Sequence, residues 1–422
     1  MLAKILAPVL ARRGVHYGWV MVALTFLTML STAAVMGLPG VLIGPLQSEF
    51  GWGTGEISGA LSLRLVLYGV GGPFAAAFIA RYGIQKVVSA GLVTIILGVG
   101  LATQMTTLAE LWLGWGLLAG LGTGLTALVL GATVASRWFT ARRGLVVGLL
   151  TASAATGQLL FLPIGAWLVE HIGWRMAVVP PLAACTVAWL LMVLLGRDYP
   201  AQLNLAPFGE TSVLALPPRP KGNPFTSSIA ALREAAATRV FWILFGTFFV
   251  CGLSTNGLIQ SHFIPLCHDF GMDVVEGATV LAMMGALDFV GTIGSGWLSD
   301  RYDNRLLLFM YYGLRGVSLI ILPYSTFSFW GLSLFAVFYG LDWIATVPPT
   351  VKLAAASFGR ERAPLVFGWV FMAHQLGAAV AAAGAGVVRD GVGSYLPAFF
   401  AAGITCLIAA GAVLAVRKPV AA

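Results

Sequence analysis

Charge is what this sequence has least of. Only 9% of its 422 residues are Asp, Glu, Lys or Arg, 59% are hydrophobic, and the mean hydropathy is +0.91. A soluble domain carries about a quarter charged residues, so this chain cannot cover a water-facing surface. Cysteine is nearly as scarce. Cys185, Cys251, Cys267 and Cys406 are scattered without ligand spacing, so neither a metal site nor a disulfide is expected, and Cys185, Cys251 and Cys406 read as small packing residues. No GxxxxGK[ST] phosphate loop occurs, which excludes ATP as the driver, and HExxH, GxSxG and paired carboxylates in a hydrated domain are missing too. No enzyme and no cofactor are therefore expected. The "GLGTG" stretch at 120–124 mimics a dinucleotide loop but lies inside an apolar run with no strand before it.

What is present is apolar length. Runs of 18 or more apolar residues read as membrane spans, and twelve occur with soft ends: 17–42, 57–80, 86–107, 109–136, 144–168, 174–196, 239–266, 276–298, 306–325, 327–350, 364–387 and 395–416. With no water in the bilayer core, each must satisfy its own backbone, so the runs are helices. The alternating segments of a barrel are absent. The expected fold is an all-α membrane protein with twelve transmembrane helices. "MLAKILAPVLARRG" shows no cleavage site after the first run, so no removed signal peptide is expected. Trp52, Trp112, Trp174 and Trp330 sit at run ends as interfacial anchors.

Basic residues orient the chain. With the N-terminus cytoplasmic, most of the 24 Lys and Arg fall on that side, including Arg12, Arg13, Arg81, Lys86, Arg137, Arg142, Arg143, Arg301, Arg305, Arg360, Arg362, Arg417 and Lys418; only Arg175 and Arg389 land outside. That bias sets topology and predicts a multi-pass protein of the cell inner membrane with both termini cytoplasmic. The +8 net charge is then an orientation signal, and no clustered soluble face suggests a nucleic acid. The polar, proline-bearing stretch 197–238 reads as a flexible cytoplasmic linker between six-helix bundles at 1–196 and 239–422.

The two halves repeat. At an offset of 220 residues Pro45 matches Pro265, Phe50 Phe270, Gly51 Gly271, Gly71 Gly291, Arg81 Arg301, Tyr82 Tyr302, Gly120 Gly340, Arg142 Arg362, Gly157 Gly377 and Gly173 Gly393. Proline, arginine and tyrosine at constant spacing across several loops indicate a tandem duplication. Within it, the charged island "GWLSDRYDNR" at 296–305 is the counterpart of "AAFIARYGIQ", each in the turn after the second run of its half.

The pattern Gly-x-x-x-Asp-Arg-x-Gly-x-Arg between second and third helices resembles the signature of the major facilitator superfamily. The second copy keeps Asp300, Arg301 and Arg305 with Asp303 in place of glycine; the first keeps Arg81, Gly83 and Lys86 with Ala80 in place of aspartate. The resemblance implies two bundles rocking around a midplane site. It also implies a conformational latch of Asp300, Arg301, Arg305 and Arg81, weighted to the second half.

Ionisable residues within a membrane are costly and mark function. They are Arg64, Asp288, Arg315, Asp342 and His374. Asp288 is the repeat counterpart of Tyr68, and a buried carboxylate does not face lipid, so that helix face points inward in both halves. Arg64 lies four residues before Tyr68 on the same face, and both are expected to line the central cavity. Arg315 is expected to pair with Asp288 or Asp342, either as a structural pair or as part of proton coupling. His374 can carry a proton or donate to an anion. In "STNGLIQSHFIP", Asn256 and Gln260 share a face suited to a polar substrate, and His262 is nearer the outer interface.

Further details, "RWFTARRGLVVG", "GWR", "HFIPLCHDFG" and "YYGLRG", are similar to bacterial relatives of the monocarboxylate porters and oxalate–formate antiporters. That resemblance implies uptake of a small organic anion with a proton, by a chain expected to be monomeric. Those families place a cation in the eighth helix, where this chain has Asp288, so the anion is expected to meet Arg64 and His374 instead. An efflux antiporter is the alternative. The Gly-Pro motif of exporters in the fifth helix is replaced by Gly157-Gln158, which favours uptake. A non-transporting sensor is a third reading, set behind the others because the last run is followed only by "VRKPVAA".

Overall fold

A computed structural model describes residues 2–218 and 222–416. Arg417, Lys418 and positions 219–221 of the expected linker lie outside the described residues, as does the side chain of Gln158. The fold is all-helical, with no β-strand among the described residues. Among the described residues, eleven helices are long and apolar enough to cross a membrane, from Gly18–Gly37 to Leu396–Leu414. They account for every expected run except the fifth, which lies in the continuous helix Arg143–His171, whose described apolar stretch Arg143–Ala154 is shorter. The chain divides into two compact units, Met1–Val146 with Ser153–Ile229, and Val147–Ala152 with Ala230–Ala422.

The repeated glycines have matching physical reasons in both units. Gly51 and Gly271 adopt φ +70° and +83°, the left-handed conformation that ends a helix and that glycine adopts without a Cβ penalty. Gly157 packs against the carbonyl of Leu30, and its counterpart Gly377 against that of Phe249, at separations where a Cβ would collide with backbone. Small residues let apolar helices touch where no hydrophobic drive separates them from lipid.

The first unit is closed at one end by the chain that follows its last span. The expectation of a flexible linker fails for residues 198–210. Phe208 donates its N–H to the Trp138 carbonyl (2.8 Å) and accepts from the Thr140 and Ala141 N–H groups at 2.9 and 3.0 Å. Its ring sits among His16, Trp19 and Phe139. Aromatic burial and main-chain pairing outweigh the loop-like composition. Farther along, Pro224–Ala236 is helical, and the Ser228 hydroxyl donates to the Pro73 carbonyl at 3.1 Å.

Ion pairs built on repeat-related carboxylates brace the opposite ends. Glu49 takes the Trp174 indole N–H at 2.6 Å and pairs with Arg175 at 2.7 Å. Its counterpart Asp269 pairs with Arg389 at 2.8 Å. The two arginines that stood against the charge bias, Arg175 and Arg389, are thus each matched to a carboxylate. The Trp174 and Arg175 hydrogen bonds hold the Glu49 carboxyl below its ordinary range. That brace is therefore intact at neutral pH and lost only as pH falls through the lowered value. With side chains 42% and 37% exposed, the Arg175–Glu49 pair is worth only about 0–1 kcal/mol. Glu49→Gln is expected to leave the thermal midpoint of the purified protein nearly unchanged; a collapse in thermal stability would overturn this weighting.

Candidate functional site: a charge cluster at a broken helix

In the second unit the tenth run is two helices, Phe329–Asp342 and Val347–Phe358, joined by a turn. Pro348 and Pro349 cause the break, because a proline has no N–H for the carbonyl four residues earlier. An unsatisfied carbonyl in a bilayer costs several kcal/mol, so each freed group has to find a new donor. The Ile344 carbonyl takes the Val347 N–H at 3.0 Å, and the Ala345 carbonyl takes the Ser295 hydroxyl at 2.5 Å. Arg315 Nη2 donates to the carbonyls of Asp342 and Trp343. The Ile344 N–H, displaced from helical pairing, donates to Asp288 Oδ1 at 2.9 Å.

Arg315 is the centre of this arrangement. Besides the two carbonyls, its Nε donates to Asp342 Oδ2 at 2.7 Å, and its Nη1 to Cys251 Sγ at 3.2 Å and Ser254 Oγ at 3.5 Å. The Tyr312 and Tyr339 rings lie 5.8 and 5.9 Å from the guanidinium, and the Tyr339 hydroxyl donates to the Ser254 carbonyl at 2.7 Å. Arg315 and Asp288 are 1% and 2% exposed. Of the two partners expected for Arg315, the salt bridge goes to Asp342. Asp288 instead takes the Thr292 hydroxyl (2.7 Å) and the Ile344 N–H. Cys251, expected as a packing residue, is part of the network and also lies 3.2 Å from Thr346 Oγ1.

Among the described residues, the buried Asp342 Oδ1, His374 Nδ1 and Tyr312 hydroxyl in this region have no hydrogen-bond partner. The His374 ring packs between Phe248 and Phe371 and is near enough to interact with the Cys251 thiol. Asn256 is half-buried and Gln260 exposed. Residues Leu253–Ile259 form a π-helical turn, a widened turn common at functional sites, so residues four apart do not stack there as on an α-helix. His262, placed by sequence near the interface, is held to the Ala382 carbonyl at 2.9 Å.

The first unit has the break without the charges. Its fourth run is interrupted at Thr126 and Ala127, close to the repeat equivalent of the break after Asp342. Ile95 and Gly122 stand where the second unit has Arg315 and Asp342, and they pack directly on each other. The Thr126 hydroxyl covers the Gly122 and Thr123 carbonyls. Arg64 serves a different break. Pro39 leaves the Val35 carbonyl without its helical donor, and Arg64 Nη1 reaches it at 2.7 Å while Nη2 reaches Met36 O at 3.0 Å. The guanidinium lies 5.9 Å from the Trp115 ring, and its buried Nε has no hydrogen-bond partner among the described residues. Tyr68 is half-buried one turn away on the same helix, Thr54–Tyr82.

The charged island resolves into two functions. Asp303 caps the helix Asn304–Ile321 by accepting the Arg305 N–H at 3.0 Å and pairs with the Arg305 side chain at 2.8 Å. Arg305 also donates to the Val416 carbonyl at 2.9 Å. Asp300 pairs with Lys352 at 2.9 Å, a residue the sequence reading passed over. Arg301 lies over the Trp297 ring at 4.0 Å and Arg81 over Tyr82 at 5.4 Å. In the first unit Ala80 and Ala132 occupy the positions of Asp300 and Lys352, so both halves of that pair are missing together. Asp198 supplies a carboxylate there from the connecting segment. It accepts the Gln85 N–H at 3.2 Å beside Gly83, and Gln85 donates to Val193 O at 2.6 Å much as Arg305 does to Val416 O.

A sequence profile described as the Major Facilitator Superfamily matches residues 24–382. The chain belongs to the Major Facilitator Superfamily. Monocarboxylate transporter 13 of Rattus norvegicus is 27% identical over 94% of this chain and 88% of its own length. An uncharacterized MFS-type transporter, YcxA of Bacillus subtilis (strain 168), is 25% identical over 83% of each chain. Among solved structures, a double-tryptophan variant of XylE matches with a TM-score of 0.72 at 14% identity, over 93% of this chain and 94% of its own. The fucose:proton symporter FucP of E. coli matches with a TM-score of 0.68 at 16% identity, over 96% of this chain and the whole of its own. This superfamily member is a multi-pass membrane protein with the transporter fold.

Proposed function

We propose that this chain is a secondary active transporter that moves a small organic anion, a monocarboxylate, together with a proton by alternating access. The observation carrying the proton is the imbalance at the broken helix: two buried carboxylates stand there with one guanidinium, which pairs with only one of them. Arg315 is committed to Asp342, and Asp288 has hydrogen bonds but no salt bridge among the described residues. A buried carboxylate lacking a counter-charge is costly unless it is neutralised, so Asp288 is the proton site. Asp342 with Arg315 holds the turn that carries it. The anion is supported by the monocarboxylate transporters similar over most of the chain. Arg64, Tyr68, Asn256, Gln260 and His374 are the residues proposed to meet it.

On this reading Arg143–His171 is the fifth span and completes the set of twelve. The six-helix halves are 1–196 and 239–422, with 197–238 between them, and both termini face the cytoplasm in a monomer of the inner membrane. Asp300, Arg301, Arg305 and Arg81 form the latch, with Lys352 added as the partner of Asp300.

Ligand binding raises apparent stability, by about 2.7 kcal/mol at a hundredfold excess over Kd. A thermal-shift panel of lactate, pyruvate, formate and oxalate on the purified protein is expected to single out one acid, with the shift lost in Arg64→Gln. A shift produced only by amphipathic compounds would contradict the anion reading and favour an efflux antiporter.

A further inference from the structure

Before the first span the chain forms an eleven-residue helix, Leu2–Arg12. At 1.5 Å per residue it is about 16 Å long, roughly half of the ~30 Å hydrocarbon core, so it does not cross the membrane. Its surface divides into three sectors. Ala3 and Ala7 are buried where the helix packs on Val179–Leu195 and Pro200–Leu203. Leu2, Ile5 and Val9 are 48%, 61% and 44% exposed and fall at helical spacing on one stripe. Lys4 and Arg12 are exposed beside that stripe, with Arg13 just beyond the last turn.

A soluble surface has no reason to present such a stripe, and a span has no reason to carry three cations. A helix lying in the interface needs all three sectors: one against the protein, one in the acyl-chain boundary and one among headgroups. The geometry of its end fits the same position. Gly14, at φ +70°, turns the chain into Tyr17, whose hydroxyl donates to the Leu195 carbonyl at 2.8 Å. The helix is thereby fixed beside the ends of two spans, Gly18–Gly37 and Trp174–Leu195. Residues 1–48 contain no Asp or Glu, so no acid close in sequence offsets the cations.

We propose that Leu2–Arg12 is a membrane-surface helix that binds acidic phospholipid headgroups through Lys4, Arg12 and Arg13, with Leu2, Ile5 and Val9 inserted at the acyl-chain boundary. The inference requires only that the chain is embedded in a bilayer and is independent of the cargo.

The test uses the full-length protein reconstituted in vesicles of phosphatidylcholine with or without phosphatidylglycerol. Ile5→Cys or Lys4→Cys carries a solvent-sensitive dye, and the native cysteines are all buried. The dye at Ile5 is expected to be blue-shifted and quenched by lipid brominated in the acyl chain, more strongly when the brominated lipid is phosphatidylglycerol; the dye at Lys4 stays water-exposed. Each of Lys4→Gln, Arg12→Gln and Arg13→Gln is expected to lower the preference for brominated phosphatidylglycerol by up to about fivefold. A water-exposed dye at Ile5 in every vesicle would overturn the proposal. So would equal quenching by the two lipids, or a shift that appears only at high protein density, which would mark a second copy as the occupant.

Discussion

Arg315→Gln is expected to be among the most destabilising single substitutions in this chain. The guanidinium satisfies two main-chain carbonyls, one carboxylate, a thiol and a hydroxyl from one buried position. Breaking a buried ion pair by removing one partner costs about 3–5 kcal/mol, and the Trp343 carbonyl left without its donor adds about 1–3 kcal/mol, while the Asp342 carbonyl keeps only the long Ala345 N–H at 3.3 Å. That loss is comparable to the whole stability of many folded domains, so little monodisperse protein should be recovered from detergent extracts. Arg315→Lys is expected to rescue partly at best, since an ammonium is a point charge and does not reproduce the planar fork. Asp342→Asn should be milder, because an amide oxygen still accepts from Nε. Fluorescence-detected size exclusion across a temperature series would read all three. Near-normal thermal stability of Arg315→Gln would show that the broken helix does not depend on this residue.

Asp288→Asn is expected to separate folding from coupling. The amide oxygen can still accept from Thr292 and from the Ile344 N–H, so the turn is retained and the thermal midpoint should move little. The variant cannot release a proton. A pH gradient of one unit is worth about 1.4 kcal/mol, or tenfold accumulation by a one-to-one symporter; the wild type should approach that limit and Asp288→Asn should not accumulate cargo at all. Exchange of labelled for unlabelled cargo across equal pH should survive. Gradient-driven accumulation by the variant at the wild-type level would remove Asp288 from the coupling role.

Much of the architecture is legible in the sequence because hydropathy and repetition are long-range averages. The run positions, the duplication and the short set of intramembrane charges need no knowledge of individual contacts. The break in the tenth run escaped for the same reason. A hydropathy window averages over Pro348 and Pro349, although two prolines in one span were the local signal that carbonyls would be left needing donors. That signal would also have sent Arg315 to main chain as well as to a carboxylate.

The connecting segment was misjudged on composition. Proline and polar content describe a chain in isolation, whereas Phe208 is held by an aromatic cluster that only the fold assembles. Asp198 could not be found by motif, since it accepts the Gln85 N–H as Asp303 accepts that of Arg305, but from far along the chain. Lys352 was findable: the repeat turns Asp300 and Lys352 into alanine together, which marks them as a pair.

The most direct test of the account is acidification of proteoliposomes, read by a trapped pH dye, on adding lactate, pyruvate, formate or oxalate, with empty liposomes alongside because protonated acids leak. A protein-dependent, saturable acidification by one acid, lost in Asp288→Asn, is the predicted result. No protein-dependent signal for any acid, from protein that is folded and correctly inserted, would contradict proton-coupled transport of a monocarboxylate.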